Sequence, residues 1–190
     1  QILAKGHDLP KLTLVVVVGI DEGLFSADFR AGEKLAQQLI QVAGRAGRAR
    51  DPGEVWLQTH HPGHPLLETL VSGGYHPFAQ VELNQRQAAG FPPFAHLALL
   101  RAEAQQVEQA NAFLLAARRL VGQPEQLEVF GPMPAPMPRR AGYQRTQLLL
   151  SSAQRPALHG VLGQLVPQLY ALPEARRVRW SLDVDPVDLY

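Results

Sequence analysis

The chain has 190 residues, with 18 lysines and arginines against 17 aspartates and glutamates, and therefore a formal net charge of +1. This near balance excludes a uniformly basic nucleic-acid binder, so any affinity for phosphates must come from local clusters of charge. Cysteine is absent from the sequence, which excludes disulfides and thiolate metal sites. No apolar run reaches the length of about 18 residues that a membrane-spanning helix needs.

A strand-helix-strand pattern occupies the first 60 residues. Residues 13–20 form a β-branched run, which predicts a strand buried on both faces of a parallel sheet. An apolar stripe at helical spacing follows between Leu35 and Ala43, and residues 54–60 predict the next strand. Asp21 comes directly after the first strand, where open α/β sheets place their ligands. The alternative role for an acidic residue there is a helix cap or turn former.

The segment Gln-Val-Ala-Gly-Arg-Ala-Gly-Arg (41–48) points most directly to a function. If the preceding helix continues through it, Gln41, Arg45 and Arg48 fall at i, i+4 and i+7 and share one face. Two guanidiniums on such a surface suit a polyphosphate, because each planar fork donates two parallel hydrogen bonds to phosphate oxygens. The alternative is a basic helix end that complements the helix dipole.

Three histidines stand close together in the sequence His-His-Pro-Gly-His-Pro (60–65). The prolines fix the backbone, and neither a carboxylate nor a cysteine stands near, so we predict a polar turn and no metal site. Two helices are predicted after this turn, the first ended by Gly73-Gly74 and the second, from about 78 to 89, ended by Gly90.

A new pattern begins after Phe-Pro-Pro-Phe (91–94). The predicted order is β-α-β-β-α-β, which is typical of a ferredoxin-like α+β domain. Its strands are predicted at 95–103, 127–130, 143–151 and 178–184, and its helices at 107–121 and 156–169. The proline-rich segment 132–138 is predicted to be extended and polyproline-like, and Pro167 predicts a kink or an early end of the last helix.

A basic segment with one aromatic residue lies between two of these strands. Arg139, Arg140 and Arg145 bring three guanidiniums together that would neutralise phosphates, and Tyr143 would stack on an unpaired base. The alternative is a loop tip that only increases solubility.

Three separated segments resemble, in order and spacing, the replication-restart DNA helicases of superfamily 2. They are Ala-Lys-Gly-His-Asp-Leu-Pro (4–10), Leu-Phe-Ser-Ala-Asp-Phe-Arg (24–30) and the arginine segment 41–48. The first and the last are similar to helicase motifs V and VI, and Trp-Ser-Leu-Asp-Val-Asp-Pro (180–186) resembles the end of these proteins. The resemblance extends over nearly the whole chain.

This resemblance implies an α/β fold with three parts. Residues 1–73 would form the C-terminal part of a RecA-like helicase lobe with a parallel sheet, residues 74–90 a helical connector, and residues 91–190 a ferredoxin-like domain that binds DNA or partner proteins. Because the chain begins inside a motif, we expect it to be a C-terminal fragment of a longer protein.

The resemblance also implies an ATP site. Arg45 and Arg48, with Gln41 beside them, would contact the γ-phosphate, and Asp21 would help couple nucleotide to DNA. ATP and magnesium would be bound mainly by other parts of the longer protein, and zinc only there. The chain has no Gly-x-x-x-x-Gly-Lys-Ser/Thr phosphate loop, so we expect this piece alone not to hydrolyse ATP.

The implied partners are branched and single-stranded DNA, other primosome proteins and the acidic tail of single-stranded-DNA-binding protein. Lys5 and His7 would contact the DNA backbone, whereas Arg155 and His159 would lie where the acidic tail docks; relatives place a glutamine at the latter position. The implied function is ATP-driven recognition of stalled or branched forks and replication restart in the bacterial cytoplasm, associated with the nucleoid and not with a membrane. The alternative is a non-enzymatic adaptor for nucleic acid or protein.

Overall fold

The computed structural model describes residues 12–26, 28–46 and 53–189. The chain divides into two compact units, Gln1–Gln85 and Arg86–Tyr190. The strands are β1 (Leu14–Val17), β2 (Glu54–Leu57), β3 (His96–Ala104), β4 (Glu128–Arg140), β5 (Tyr143–Ser152) and β6 (Arg179–Val184). The helices are α1 (Asp21–Leu24), α2 (Ala31–Ala43), α3 (Pro65–Gly73), α4 (Tyr75–Ala89), α5 (Val107–Val121) and α6 (Arg155–Ala171), followed by a 3₁₀ helix (Pro173–Arg177).

The first unit is a parallel strand pair packed against helices. β1 pairs with β2 in parallel, with Val15 opposite Val55 and Val17 opposite Leu57, as a strand-helix-strand unit requires. α3 begins where the sequence predicts, because His64 caps its first turn and Pro65 fits the first helical position. The core of the unit comprises Ile20, Leu35, Ala36, Leu39, Leu67, Leu70 and Phe78.

β1 is buried on one face only, so the prediction of burial on both faces is wrong. Val15 is 4% exposed, whereas its neighbours Leu14 and Val16 are 45% and 52% exposed. Successive side chains of a strand point to opposite faces, and the apolar helix residues of the core described for this unit pack on the side of Val17. The β-branched run therefore marks the strand correctly, but it does not establish what covers the second face.

The second unit is a four-stranded antiparallel sheet with two helices on one face. The strand order is β4-β5-β3-β6, and each neighbouring pair is antiparallel. Alternate residues of β3, such as Leu100, join α5 and α6 in one apolar core. The order of its elements along the chain is the predicted β-α-β-β-α-β. The largest buried side chains on the helix side are Leu100, Phe113, Leu114, Leu148, Leu150, Leu158, Leu165 and Leu169.

The proline-rich segment 132–138 belongs to strand β4 and is not a separate polyproline segment. β4 pairs with β5, with irregular register between Phe130 and Met133 and again between Pro134 and Arg139. β4 lies at one edge of the sheet, and an edge strand tolerates prolines because only one of its sides must donate to a neighbour.

Helix α6 continues through Pro167 to Ala171, so the predicted early end of the helix is wrong. Pro167 is exposed, and the lost backbone hydrogen bond therefore lies on the solvent side. Leu165 and Leu169, which flank it, are both buried in the core. This packing outweighs a cost of about 3 kcal/mol for an interior proline. Within the described ranges, every helix is too short or too polar to span a bilayer.

Candidate nucleotide-binding and DNA-binding surfaces

Of the three predicted phosphate-binding residues of the arginine segment, Gln41 and Arg45 are described, and they do not lie on one continuous helix. α2 ends at Ala43; the Gly44 amide still donates to Ile40 O at 2.9 Å, but the Arg45 amide donates to Val42 O, three residues back, at 3.0 Å. The chain tightens here into a turn, for which glycine, a poor helix former, is well suited. The predicted continuation of the helix through Arg45 is therefore wrong.

Gln41 is exposed on the last turn of α2, and Arg45 is half-buried in the turn that follows. Arg48, Lys5 and His7 lie outside the described residues. The structure therefore places one of the two predicted phosphate-binding arginines at the end of α2, in the first unit.

Asp21, which follows β1, links the carboxyl ends of the two parallel strands through hydrogen bonds to residues that follow β2. Its carboxylate accepts a hydrogen bond from the Thr59 hydroxyl and another from the His60 amide at 3.1 Å. These two bonds, the one from Thr59 first, lower the pKa of Asp21 below its ordinary value, because both stabilise the ionised form. The partner Thr59 was not predicted, although parallel strands bring their carboxyl ends to one edge of a sheet.

An ionic cluster at the start of α2 was also not predicted from the sequence. Asp28 is buried, accepts from the Arg30 amide at 3.1 Å and pairs with Lys34 Nζ at 2.7 Å. Arg30 pairs with Glu33 at 2.9 Å. Asp28 and Arg30 belong to the segment 24–30, so part of the family resemblance in this segment concerns side chains that hold the first turn of α2.

Two of the three histidines of residues 60–65 contact an aromatic side chain. His61 and His64 contact the Phe25 ring edge-on, with ring centroids 4.7 and 5.6 Å from it. His64 Nδ1 also accepts from the Leu66 amide at the start of α3. Among the described residues, no group of three or more histidine, aspartate or glutamate side chains is placed to hold a metal ion.

The basic segment of the second unit is the tip of the β4–β5 hairpin. Arg140 lies opposite Tyr143 and Arg139 opposite Gln144. Ala141 and Gly142, with φ of 49° and 83°, form the two-residue turn between them, as the right-handed twist of a hairpin favours. Arg139 and Arg140 are exposed. The predicted residues therefore lie on strands, and only two residues form the turn.

Tyr143 and Arg145 differ from the two arginines at the tip, because each has a partner from another strand. Arg145 Nε donates to Glu103 Oε1 at 2.8 Å, and its side chain is 11% exposed. The guanidinium of Arg179 lies over the Tyr143 ring, with Cζ 4.4 Å from the ring centroid. A cation over an aromatic face at this distance is attracted by the ring quadrupole.

The sheet of the second unit has a basic end and an acidic end. β5 begins, β3 ends and β6 begins at the hairpin tip, and the 3₁₀ helix brings two further arginines directly before β6. At the opposite end, one aspartate lies near the end of β6 and two follow this strand. The basic end holds Arg139, Arg140, Arg145, Arg176, Arg177 and Arg179, and the acidic end holds Asp183, Asp185 and Asp188.

Arg155 and His159 share one face of α6, four residues apart, and both are exposed. Arg155 Nη1 forms an ion pair with Asp185 Oδ2 at 2.8 Å. Asp185 adopts a positive φ of 53° and its amide donates to Leu97 O. The arginine predicted to hold an acidic partner is thus already paired with an aspartate of its own chain.

Residues 87–187 match the family model described as the primosomal protein N C-terminal domain. The chain belongs to the primosomal protein N (PriA) family. Replication restart protein PriA of Haemophilus influenzae is 47% identical over 195 residues, which cover 100% of this chain and 26% of that protein.

PriA of Synechocystis sp. is 37% identical over 191 residues, which cover 100% of this chain and 22% of that protein. PriA of Bacillus subtilis is 32% identical over 188 residues, 98% of this chain and 23% of that protein. The chain therefore spans about a quarter of the length of the curated PriA relatives it matches. A solved structure, the de novo designed protein Foldit4, is similar at a TM-score of 0.37 and 8% identity over 48% of this chain and 97% of that one.

Proposed function

We propose that the chain is the C-terminal part of an ATP-dependent DNA helicase that recognises stalled or branched forks and restarts replication by primosome assembly. The similarity to replication restart proteins along the chain supports this function, as do the segments that resemble helicase motifs V and VI. The protein would act in the bacterial cytoplasm, at the nucleoid. The main observation that supports DNA binding is the cluster of arginines at the basic end of the sheet around Tyr143.

In this proposal residues 1–73 are part of a RecA-like lobe, residues 74–90 a connector and residues 91–190 a ferredoxin-like domain. The parallel pairing of β1 with β2 supports the first assignment. The strand order β4-β5-β3-β6 with two helices on one face supports the last.

The nucleotide part of the proposal assigns Arg45 and Arg48, assisted by Gln41, to the γ-phosphate of ATP. Arg45 lies in the turn directly after α2 and is partly exposed, which supports contact with an anion. Asp21 fits a phosphate poorly, because it is acidic and both its oxygens already accept hydrogen bonds. ATP with magnesium supplies the free energy for movement, and these side chains would bind and orient its terminal phosphate.

We expect the double substitution Arg139→Ala/Arg140→Ala to weaken the binding of this chain to a forked DNA by about tenfold at low salt. Two phosphate contacts would be lost, so the slope of log affinity against log salt should fall by about 2. Fluorescence anisotropy with a labelled fork measures both. Arg119→Ala, an exposed arginine on α5 away from the hairpin, is the matched control and should change little.

The alternative function is an adaptor without DNA contacts. A wild-type chain that fails to bind forked, single-stranded and duplex DNA at low salt would favour this alternative. It would leave the basic end of the sheet as a surface for an acidic protein.

The partner proposal concerns the ion pair between Arg155 and Asp185. We propose that the acidic tail of single-stranded-DNA-binding protein displaces Asp185 and binds Arg155, with His159 on the same helix face. Arg155→Ala should weaken the binding of a labelled tail peptide, and Asp185→Asn should strengthen it by up to about fivefold, as the loss of a competing surface pair allows. Anisotropy titrations in which both variants bind like the wild type would contradict this role.

A further inference from the structure

The face of the second unit's sheet that lies opposite its helices contains a polar pocket near the hairpin tip. We infer that this pocket binds one unpaired nucleotide, with the base on the Tyr143–Arg179 pair and a flanking phosphate on the arginines of the hairpin tip. The inference rests on the proposed DNA binding and adds which form of DNA this surface recognises.

The register of three strands brings the pocket residues together. Leu100 and Ala102 of β3 are buried against the helices, so Arg101 and Glu103 between them point to the opposite face. Across the strands, Glu103 lies opposite Arg145 of β5 and Arg179 of β6. Arg101 lies opposite Ser181 of β6.

The pocket has a volume of about 320 Å³, which is at the lower end of the range for small-molecule sites and suits a single nucleotide. Its lining residues are Arg101, Glu103, Arg145, Arg179, Trp180 and Ser181.

The charges around the pocket single out Arg179 as the cation for a ligand. Arg145 is paired with Glu103 at 2.8 Å. Arg101 Nη1 lies 3.4 Å from Asp183, and its Nη2 donates to Asp188 O at 3.2 Å. Among the described residues, Arg179 has no carboxylate at ion-pair distance; its contact is the Tyr143 ring. Arg145 and Arg101 are therefore held in the pocket wall by their partners, whereas the positive charge of Arg179 can interact with a ligand.

The Tyr143–Arg179 pair places a guanidinium over an aromatic ring beside the pocket. Tyr143 is half-buried, whereas Arg179 is exposed and lines the pocket. A base that stacks on the outer side of the guanidinium extends this pair, since arginine planes and aromatic rings both stack on nucleobases. The arginine contact adds a cation–π attraction to the stacking.

A duplex does not present a base in this way, because its bases are stacked on one another and only their edges reach the grooves. An unpaired nucleotide exposes the whole face of its base. Arg140 lies opposite Tyr143 on the hairpin and shares its face of the sheet, where it meets a phosphate beside the bound nucleotide; Arg139 is the next residue along the strand.

The test compares single-stranded and duplex DNA with the 190-residue chain. Labelled oligothymidine of 15 nucleotides and a blunt duplex of 15 base pairs are titrated by fluorescence anisotropy. Tyr143→Leu is expected to weaken single-strand binding by about tenfold, because it removes the ring that holds the Arg179 guanidinium in place for the base, and duplex binding by less than twofold. Tyr143→Phe, which keeps the ring, should bind both forms like the wild type.

Arg179→Ala should weaken single-strand binding more than Arg119→Ala does, although both remove one exposed arginine. The effect of Tyr143→Leu should persist at higher salt, because stacking is not screened, whereas the effect of the hairpin arginines should shrink. Arg179 is exposed, so its variant tests the pocket even if Tyr143→Leu disturbs folding.

The failure of this inference and that of DNA binding are distinguishable. A wild-type chain that binds DNA, with single-strand and duplex affinities changed equally or not at all by Tyr143→Leu and Arg179→Ala, overturns the nucleotide pocket and leaves DNA binding in place. A wild-type chain that binds neither DNA at low salt overturns both.

Discussion

Replacement of Arg45 or Arg48 by alanine, in a full-length protein that carries this sequence, is expected to reduce DNA-stimulated ATP hydrolysis by at least about a hundredfold. In the transition state, negative charge spreads over the oxygens of the terminal phosphoryl group. An arginine that stabilises this charge increases the rate of hydrolysis by about a thousandfold or more. Fork binding should remain nearly intact, because the basic end of the sheet lies in the other unit. Phosphate release gives the hydrolysis rate, and anisotropy gives the fork affinity.

Two controls make this result specific. Arg119→Ala removes an exposed arginine from α5 and should leave turnover unchanged. The 190-residue chain by itself has no Gly-x-x-x-x-Gly-Lys-Ser/Thr sequence and is expected to show no turnover. Wild-type rates in both arginine variants would remove the role assigned to them.

Phe113→Ala is expected to lower the free energy of unfolding of the second unit by about 3–5 kcal/mol. Phe113 is fully buried in α5 and stacks on Trp180 with ring centroids 5.8 Å apart, so its removal leaves a cavity beneath the sheet. Urea unfolding followed by Trp180 fluorescence measures the loss. Trp56→Phe in the background removes the other tryptophan of the chain, which lies in the first unit.

Leu115→Ala is the matched control for Phe113→Ala. Leu115 lies on the same helix but is 45% exposed, so its truncation should cost less than about 1 kcal/mol. Equal losses in the two variants would contradict the core described for this unit.

The sequence predicts the second unit better than the first, because its patterns are local and complete. The apolar stripe between Val107 and Val121 predicts α5, and the alternation of apolar and polar residues predicts β6. Neither prediction requires knowledge of the neighbouring elements. The one-sided burial of β1 and the end of α2 at Ala43 depend on which other elements pack there. Pro167 is a further example, because core packing there overrides the local rule that proline ends a helix.

The candidate site also contains residues that could be predicted from the sequence and contacts that could not. The arginines and the tyrosine of the hairpin are adjacent in sequence, so they could be predicted as a group. The contacts that Glu103 and Arg179 make with them could not, because these two residues come from strands far away in the chain and reach the hairpin only through the sheet register. The pairing of Arg155 with Asp185, 30 residues apart, could not be predicted for the same reason.

The prolines of β4 have a consequence for self-association. Pro132, Pro134, Pro136 and Pro138 belong to the 13-residue strand β4, which lies at one edge of the sheet. A proline has no amide hydrogen, so none of these four positions can donate a hydrogen bond to a further strand. A strand from another molecule cannot complete a ladder there, and the longest strand of the sheet is thereby protected from seeding aggregates.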